Sequence, residues 1–118
     1  MPYVAIKSGH LMENIDTKIL NETVCEQLNV PKSKVKISWE IFHDEHYCNY
    51  VDADDKEPTV APVIEITLSK RNSRSFTEEL VHVMVKETAA ILQVDEGAIL
   101  VLIHTLDEGQ IFLNGKFV

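Results

Sequence analysis

The stretch PVIEIT, residues 62–67, has the same pattern as PYVAIK, residues 2–7, at an offset of 60 positions. In each, a proline is followed by apolar residues that alternate with others, which is typical of a half-buried β-strand. A second pair, LNVPKSKVKI at 28–37 and LQVDEGAILV at 92–101, recurs at an offset of 64. Since both pairs come in the same order along the chain, the sequence predicts a structural unit that occurs twice.

Each copy of this unit is predicted to fold as a strand, a helix and a strand. In the first copy, apolar residues fall at helical spacing and Pro31 ends the helix. These residues are Leu11, Ile15, Ile19, Val24 and Leu28. In the second copy, Ser75 and Glu78 have the spacing of a capping box at a helix N-terminus. The buried stripe expected there is Phe76, Leu80, Met84, Ile91 and Leu92.

Two such units predict an α+β fold with two layers. Parallel strands joined by a helix cross over with one hand, so two tandem β-α-β units give a four-stranded mixed sheet with both helices on one face. We expect a single domain over residues 1–118: a first unit at about 2–42, a polar connector at 43–61, and a second unit with a tail at about 62–118. In the tail, Asn114-Gly115 predicts a short hairpin.

The other face of the sheet is expected to lack a helical cover, and we call it the open face. Its residues are Tyr3, Ala5, Lys7, Lys36, Ser38, Glu40, Phe42, Val63, Glu65, Thr67, Leu100, Leu102, His104 and Leu106. About half of them are apolar. Because a large apolar patch on a folded protein usually contacts a partner, we expect the open face to be an interface between identical chains. The alternative is a solvated face with its charges in loose pairs.

Composition excludes several classes of function. A chain of 118 residues is long enough for one core. Its net charge of −8 argues against a nucleic-acid partner, which requires clustered basic residues. No apolar run approaches the ~18 residues of a membrane span, so no membrane association is expected. Two cysteines are too few for a disulfide scaffold, which makes a reducing, cytoplasmic setting the default expectation.

The segment HDEHYC offers one candidate metal site. His43, His46 and Cys48 supply nitrogen and sulfur donors that suit zinc. Their spacing is loose, however, and it straddles the end of a predicted strand, where alternate side chains point in opposite directions. We therefore expect solvated connector residues and no metal, and keep a metal-binding protein as the less favoured alternative.

Pro2 admits two interpretations. A proline is tolerated as the first residue of a strand, because no ladder hydrogen bond is lost there. A small residue or proline after the initiator Met also favours removal of that Met, which would leave Pro2 as a free secondary amine. A free α-amino group titrates near ~7.7–8.0, where a general base is effective. Burial and neighbouring cations lower that pKa further, because both disfavour the charged form.

The N-terminal proline that opens a repeated β-α-β unit resembles the tautomerase superfamily, which includes 4-oxalocrotonate tautomerase and macrophage migration inhibitory factor. The second half, from PVIEI through the Arg-Ser helix start and the LQV turn to FLNG, is similar to the short tautomerase subunit. The whole chain, with its WEIFH and VIEI strands and closing FLNGKF, looks closer still to small uncharacterised tautomerase-like bacterial proteins. The resemblance covers nearly all 118 residues.

The resemblance implies a homotrimer that moves a proton within a small anionic keto-enol acid, without a cofactor. It assigns the base role to Pro2 and the carboxylate-binding role to Arg71, with Arg74 as the alternative arginine. It also implies that Lys7 is a basic residue near the proline, and that the aromatic of the tail hairpin falls on Ile111 or Phe112. A guanidinium suits the carboxylate role because it makes two parallel bonds to a carboxylate. The competing interpretation is a non-catalytic oligomer or small-molecule binding module with the same fold.

Overall fold

The computed structural model describes residues 2–10 and 14–118. The strands and helices are β1 Tyr3–Gly9, α1 Thr17–Leu28, β2 Lys36–Phe42, β3 Val63–Ser69, α2 Arg74–Leu92, β4 Leu100–Leu106, β5 Phe112–Leu113 and β6 Lys116–Phe117. Single 3₁₀ turns lie at Asp44–His46 and Glu96–Ala98. Within the described ranges, neither α-helix is long and apolar enough to cross a membrane.

The main sheet has the strand order β2-β1-β3-β4. Strand β1 is parallel to β2 and β3 is parallel to β4, whereas the central pair β1 and β3 is antiparallel. This mixed sheet and a separate β5-β6 hairpin confirm the predicted α+β fold of two tandem β-α-β units. The two halves also match in detail: Lys36 N donates to Pro2 O at 3.0 Å, and Leu100 N donates to Pro62 O at 3.4 Å. Each proline therefore begins the inner strand of its parallel pair.

One hydrophobic core lies between the sheet and the two helices. The central strands supply alternate residues that are at most 1% exposed: Val4, Ile6, Ile64, Ile66 and Leu68. The helices cover them with Leu20, Val24, Leu28, Leu80 and Met84. The two helices also contact each other at the surface, where Gln27 Nε2 donates to Glu87 Oε2 at 2.8 Å. In the part of the chain that the structure describes, neither helix covers the intervening residues of the strands, so the predicted open face is confirmed.

Helix α1 begins later than the sequence predicted. Asp16 caps it by accepting hydrogen bonds from Lys18 N and Ile19 N, at 3.0 and 3.2 Å. Ile15 therefore precedes the helix, and Ile19, one of the residues at helical spacing, is 59% exposed. With the helix starting at Thr17, the core stripe is Leu20, Val24, Cys25 and Leu28. The predicted stripe residue Leu11 lies outside the described residues.

Helix α2 has its N-cap at Ser73 and not in the predicted capping box. Ser73 Oγ accepts from Phe76 N at 3.1 Å, whereas Ser75 is already within the helix. A capping box requires Glu or Gln three residues after the N-cap residue. Phe76 occupies that position after Ser73, so the pattern does not identify Ser73 as the cap. Of the predicted stripe, Leu80, Met84 and Leu92 are buried, but Ile91 is 37% exposed.

The tail hairpin has the predicted turn. Asn114 and Gly115 have φ values of 54° and 77°, so both central residues are left-handed, as the tight turn of a two-residue hairpin requires. Phe112 pairs with Phe117 and Leu113 with Lys116 across this turn.

Candidate functional site

A cavity of about 390 Å³ opens at the end of the sheet where β1 begins. Its described lining residues come from three places in the chain: Lys34, Ser69, Arg71, Asn72, Ile111, Leu113 and Val118. Tyr3 pairs with Lys36 on one side and Thr67 on the other. Lys34 and Ser69 each lie two residues from those partners. The register therefore places the cavity at the same sheet end as Pro2.

Pro2 itself is held firmly at this end. Its side chain is less than 2% exposed, and its carbonyl accepts the hydrogen bond from Lys36 N. Antiparallel pairing of Tyr3 with Thr67 places the preceding residue, Pro2, beside the C-terminal end of β3. The turn that follows β3 carries Arg71. The backbone thus brings the proline and this arginine to one location, although they are distant in sequence.

Arg71 is positioned by the end of β3 and by an acidic loop. Its backbone N donates to Ser69 Oγ at 3.2 Å, which fixes the start of the turn. Its Nη2 lies 3.4 Å from Glu108 Oε1, in the loop after β4. The preceding residue makes a parallel pair, with Lys70 Nζ 3.2 Å from Asp107 Oδ1. Two consecutive cations therefore pair with two consecutive acids of the loop after β4.

Arg74 has different surroundings. It is the first residue of α2, its side chain is 80% exposed, and its Nε lies 3.0 Å from Glu78 Oε1 one helical turn later. The cavity lining that the structure describes contains Arg71 and not Arg74. Of the two arginines that the sequence left as alternatives, Arg71 lies at the cavity, at the sheet end where β1 begins.

The tail hairpin presents an aliphatic wall to the cavity. Ile111 and Leu113 line it, whereas Phe112 between them is 63% exposed and packs edge-on against Phe117, with ring centroids 5.0 Å apart. This follows from the alternation of side chains along an extended segment. Of the two candidate hairpin positions, Ile111 contacts the cavity and the aromatic Phe112 faces the other way.

Lys7 is not brought to this cavity by its own chain. It lies five residues along β1 from Pro2, which at ~3.3 Å per residue is about 16 Å. It pairs in register with Glu40 and Val63, at the opposite end of the sheet. A role for Lys7 beside a proline would therefore require a neighbouring chain.

Lys34 is a cavity residue that sequence reasoning missed. It lies in the turn between α1 and β2, and its Nζ is 5.6 Å from the centroid of the Phe76 ring, a cation–π contact. The repeat contained the signal: because each proline strand pairs in parallel with the second strand of its unit, residues just before β2 must lie beside Pro2. In the sequence, the local signal of this turn is the helix stop at Pro31.

A second cavity, of about 360 Å³, lies beside Tyr47 in the connector. The Tyr47 hydroxyl donates to Ala61 O, and Asn49 Nδ2 donates to the same oxygen at 2.9 Å. Burial raises the pKa of the Tyr47 phenol, and hydrogen bonds involving Asn49 and the backbone at Val63 partly oppose that rise. These bonds tie the connector to the residue that precedes Pro62.

The candidate metal ligands are not assembled into a site. Among residues 2–10 and 14–118, no group of three or more His, Cys, Asp or Glu side chains is arranged to hold a metal ion. The ring of His43 is stacked on that of His10 with centroids 6.2 Å apart, while Cys48 is exposed. The cluster that was adjacent in sequence is therefore spread over the connector surface.

Solved structures show what this architecture is similar to. The structure of Pt0534 inactivated by 2-oxo-3-pentynoate matches with a TM-score of 0.74 at 13% identity, covering 97% of this chain and 93% of that one. The R7 fused 4-OT asymmetric trimer matches with a TM-score of 0.70 at 17% identity, covering 96% and 94%. The chain has the tautomerase-superfamily fold.

A third solved structure has the same fold. The macrophage migration inhibitory factor-like protein of Entamoeba histolytica matches with a TM-score of 0.69 at 12% identity, covering 99% of this chain and 98% of that one. No protein-family model and no curated protein sequence matches the chain. At these identities the likeness shows the fold alone.

Proposed function

We propose that this protein is a keto-enol tautomerase of small 2-oxo carboxylic acids, with Pro2 as the general base once Met1 is removed. The observation that carries this proposal is the cavity at the same sheet end as Pro2, which joins two cationic side chains, Lys34 and Arg71, to an aliphatic wall. Charged side chains attract an acid, and the wall keeps the amine uncharged by limiting its hydration. This combination of cations and an apolar wall suits an anionic substrate better than an uncharged one.

The proposed reaction needs one mobile proton. The nitrogen of Pro2 takes the hydroxyl proton of the enol and returns a proton to the adjacent carbon, which yields the 2-oxo acid. Arg71 binds the substrate carboxylate, and Lys34 is placed to stabilise negative charge on the oxygen during the transfer. Ile111 and Leu113 exclude water. That a 2-oxo acid, 2-oxo-3-pentynoate, inactivates the similar protein Pt0534 supports this substrate class.

We further infer that the chain self-associates through the open face, as a trimer. One of the similar structures is a trimer of fused 4-OT, and the open face carries Leu100 and Leu102 with 52% and 41% of their surfaces exposed. In such an assembly Lys7 of a neighbouring chain is the remaining candidate for a cation near Pro2. The proposed partners are further copies of the chain and a small acid, with no nucleic acid, membrane, metal or cofactor. The cytoplasmic setting is proposed on cysteine usage.

The decisive experiment compares three forms of the protein whose N-termini are verified by intact mass. These are Met-free wild type, Met-free Pro2→Ala and a form that retains Met1. Conversion of enol to ketone is followed by ultraviolet absorbance for phenylpyruvate and 2-hydroxymuconate. We expect the wild type to exceed the other two by about 10²–10⁴-fold, the usual contribution of a positioned base. Retained Met1 removes the basic lone pair, and alanine leaves a primary amine with different basicity and position.

If the protein is a binding module, Pro2 should make no difference to the rate. If Met-free wild type shows no rate above buffer, or if Pro2→Ala and the Met1-retaining form match it, proton transfer by Pro2 is excluded. Binding of the acids without turnover, measured by calorimetry on the same samples, would then identify the cavity as a ligand site only.

A further inference from the structure

The loop after β4 carries two acidic residues that pair with cations next to the cavity. Asp107 and Glu108 each pair with one of two consecutive cations, Lys70 at 3.2 Å and Arg71 at 3.4 Å. Only Arg71 of these two cations lines the cavity. Glu108 is therefore the acid that shares its partner with an incoming substrate, whereas Asp107 is paired away from the cavity.

The charges at the cavity favour a ligand with one negative charge. Among the described lining residues the ionised side chains are Lys34 and Arg71, and Glu108 offsets one of these two positive charges. One carboxylate on the ligand neutralises the remaining positive charge. A second carboxylate on the ligand adds a negative charge near Glu108 without a further cation to meet it.

We propose that Glu108 is a specificity-determining residue that disfavours doubly charged acids, so that 2-oxo monocarboxylates bind more tightly than 2-oxo dicarboxylates. This rests on the proposed function, because it takes the cavity to be the acid-binding site. Glu108 is 73% exposed and Arg71 is 60% exposed, so solvent screens their interaction. The discrimination is therefore moderate, roughly two- to fivefold in dissociation constant, which is the range of exposed charge pairs.

The test uses two five-carbon 2-oxo acids that differ by one carboxylate, 2-oxopentanoate and 2-oxoglutarate. Their dissociation constants are measured by calorimetry at low ionic strength for Met-free wild type, E108Q and D107N. We expect E108Q to improve binding of 2-oxoglutarate about two- to fivefold more than binding of 2-oxopentanoate. D107N removes the same charge one residue away and is expected to keep the wild-type ratio. In 1 M salt the effect of E108Q should vanish, since the Debye length is then ~3 Å.

Three results would overturn the inference. E108Q could leave the ratio of the two dissociation constants unchanged, D107N could change it equally, or E108Q could weaken both acids, which would make Glu108 a positioning residue for Arg71. In each of these cases the acids still bind, so the inference about Glu108 fails while the cavity remains the proposed acid-binding site. If neither wild type nor E108Q binds either acid, the inference and the proposed function fail together.

Discussion

Arg71 and Arg74 are three residues apart and chemically identical, yet their surroundings differ. The guanidinium of Arg71 lies at the cavity, while that of Arg74 is paired with Glu78 on its own helix. Sequence could identify the pair, because they are the only two arginines in the chain. It could not choose between them, because the choice depends on where β3 ends and α2 begins.

We predict that Arg71→Ala raises the Michaelis constant for a 2-oxo acid about ten- to a hundredfold. Hydrogen bonds to a charged group contribute ~1.5–3 kcal/mol, and here the carboxylate is bound before and during the transfer. Arg74→Ala is the matched control and should stay within about twofold of wild type. Steady-state kinetics on both variants measures this. A larger effect at Arg74 would assign the carboxylate to that residue instead.

Other site residues show where sequence reasoning stops. The proline and its strand could be predicted, because proline and alternation are local signals. Lys34 could not be found from its neighbours, since it reaches the cavity only through the parallel pairing of β1 with β2. Ile111 and Phe112 could not be separated either, because the direction of a side chain in a short hairpin depends on how that hairpin sits on the sheet.

At the level of elements, the central strands were predictable and the helix starts were not. Alternation in β1 and β3 has a period of two, and one face is buried, so a one-residue error would invert every side chain. Helix starts depend on a single capping hydrogen bond, which several nearby residues are chemically able to make. Asp16 and Ser73 make it in the structure, and the first of these sets the helical phase that leaves Ile19 exposed.

The connector is tied to the sheet by one tyrosine. We predict that Tyr47→Phe lowers the free energy of unfolding at pH 7 by about 1 kcal/mol, because the hydroxyl loses its bond to Ala61 O. The raised pKa of Tyr47 means that the unfolded state ionises first, near pH 10.0, so wild-type stability from this group is lost as pH rises above that value. The difference in free energy of unfolding between wild type and Tyr47→Phe should therefore become smaller above pH 10.

Urea denaturation at pH 7 and above pH 10 measures both parts of this prediction. Tyr50→Phe is the control. Because Tyr50 is 52% exposed, this substitution should leave the free energy of unfolding unchanged at both pH values. A gap between wild type and Tyr47→Phe that widens in alkali would contradict the assignment of the raised pKa to this phenol.

For the whole molecule, the proposed trimer depends on the open face of the sheet. We predict that wild type runs in size-exclusion chromatography with light scattering at three times the 13.4 kDa chain mass, and that Leu102→Lys dissociates it. Leu102 is opposite Glu65 in the sheet, so a lysine there gains a cross-strand partner and the isolated chain stays folded. Ile91→Lys, on the helical surface, should leave the mass unchanged. A monomeric wild type at micromolar concentration would remove the inter-chain role proposed for the open face and for Lys7.

Pro2 and Pro62 occupy equivalent positions in the two halves of the fold. Both prolines start a strand, both are buried, and both accept a backbone hydrogen bond from the strand alongside. Yet Pro62 is joined through its nitrogen to Ala61, so that nitrogen is a planar amide and never a base. The same peptide linkage keeps the halves together at a high effective concentration, which two separate chains would have to achieve by collision. The peptide bond before Pro62 thus joins the two halves and at the same time blocks the Pro62 nitrogen. Cleaving that bond would create a second proline amine and remove the covalent link between the halves in one step.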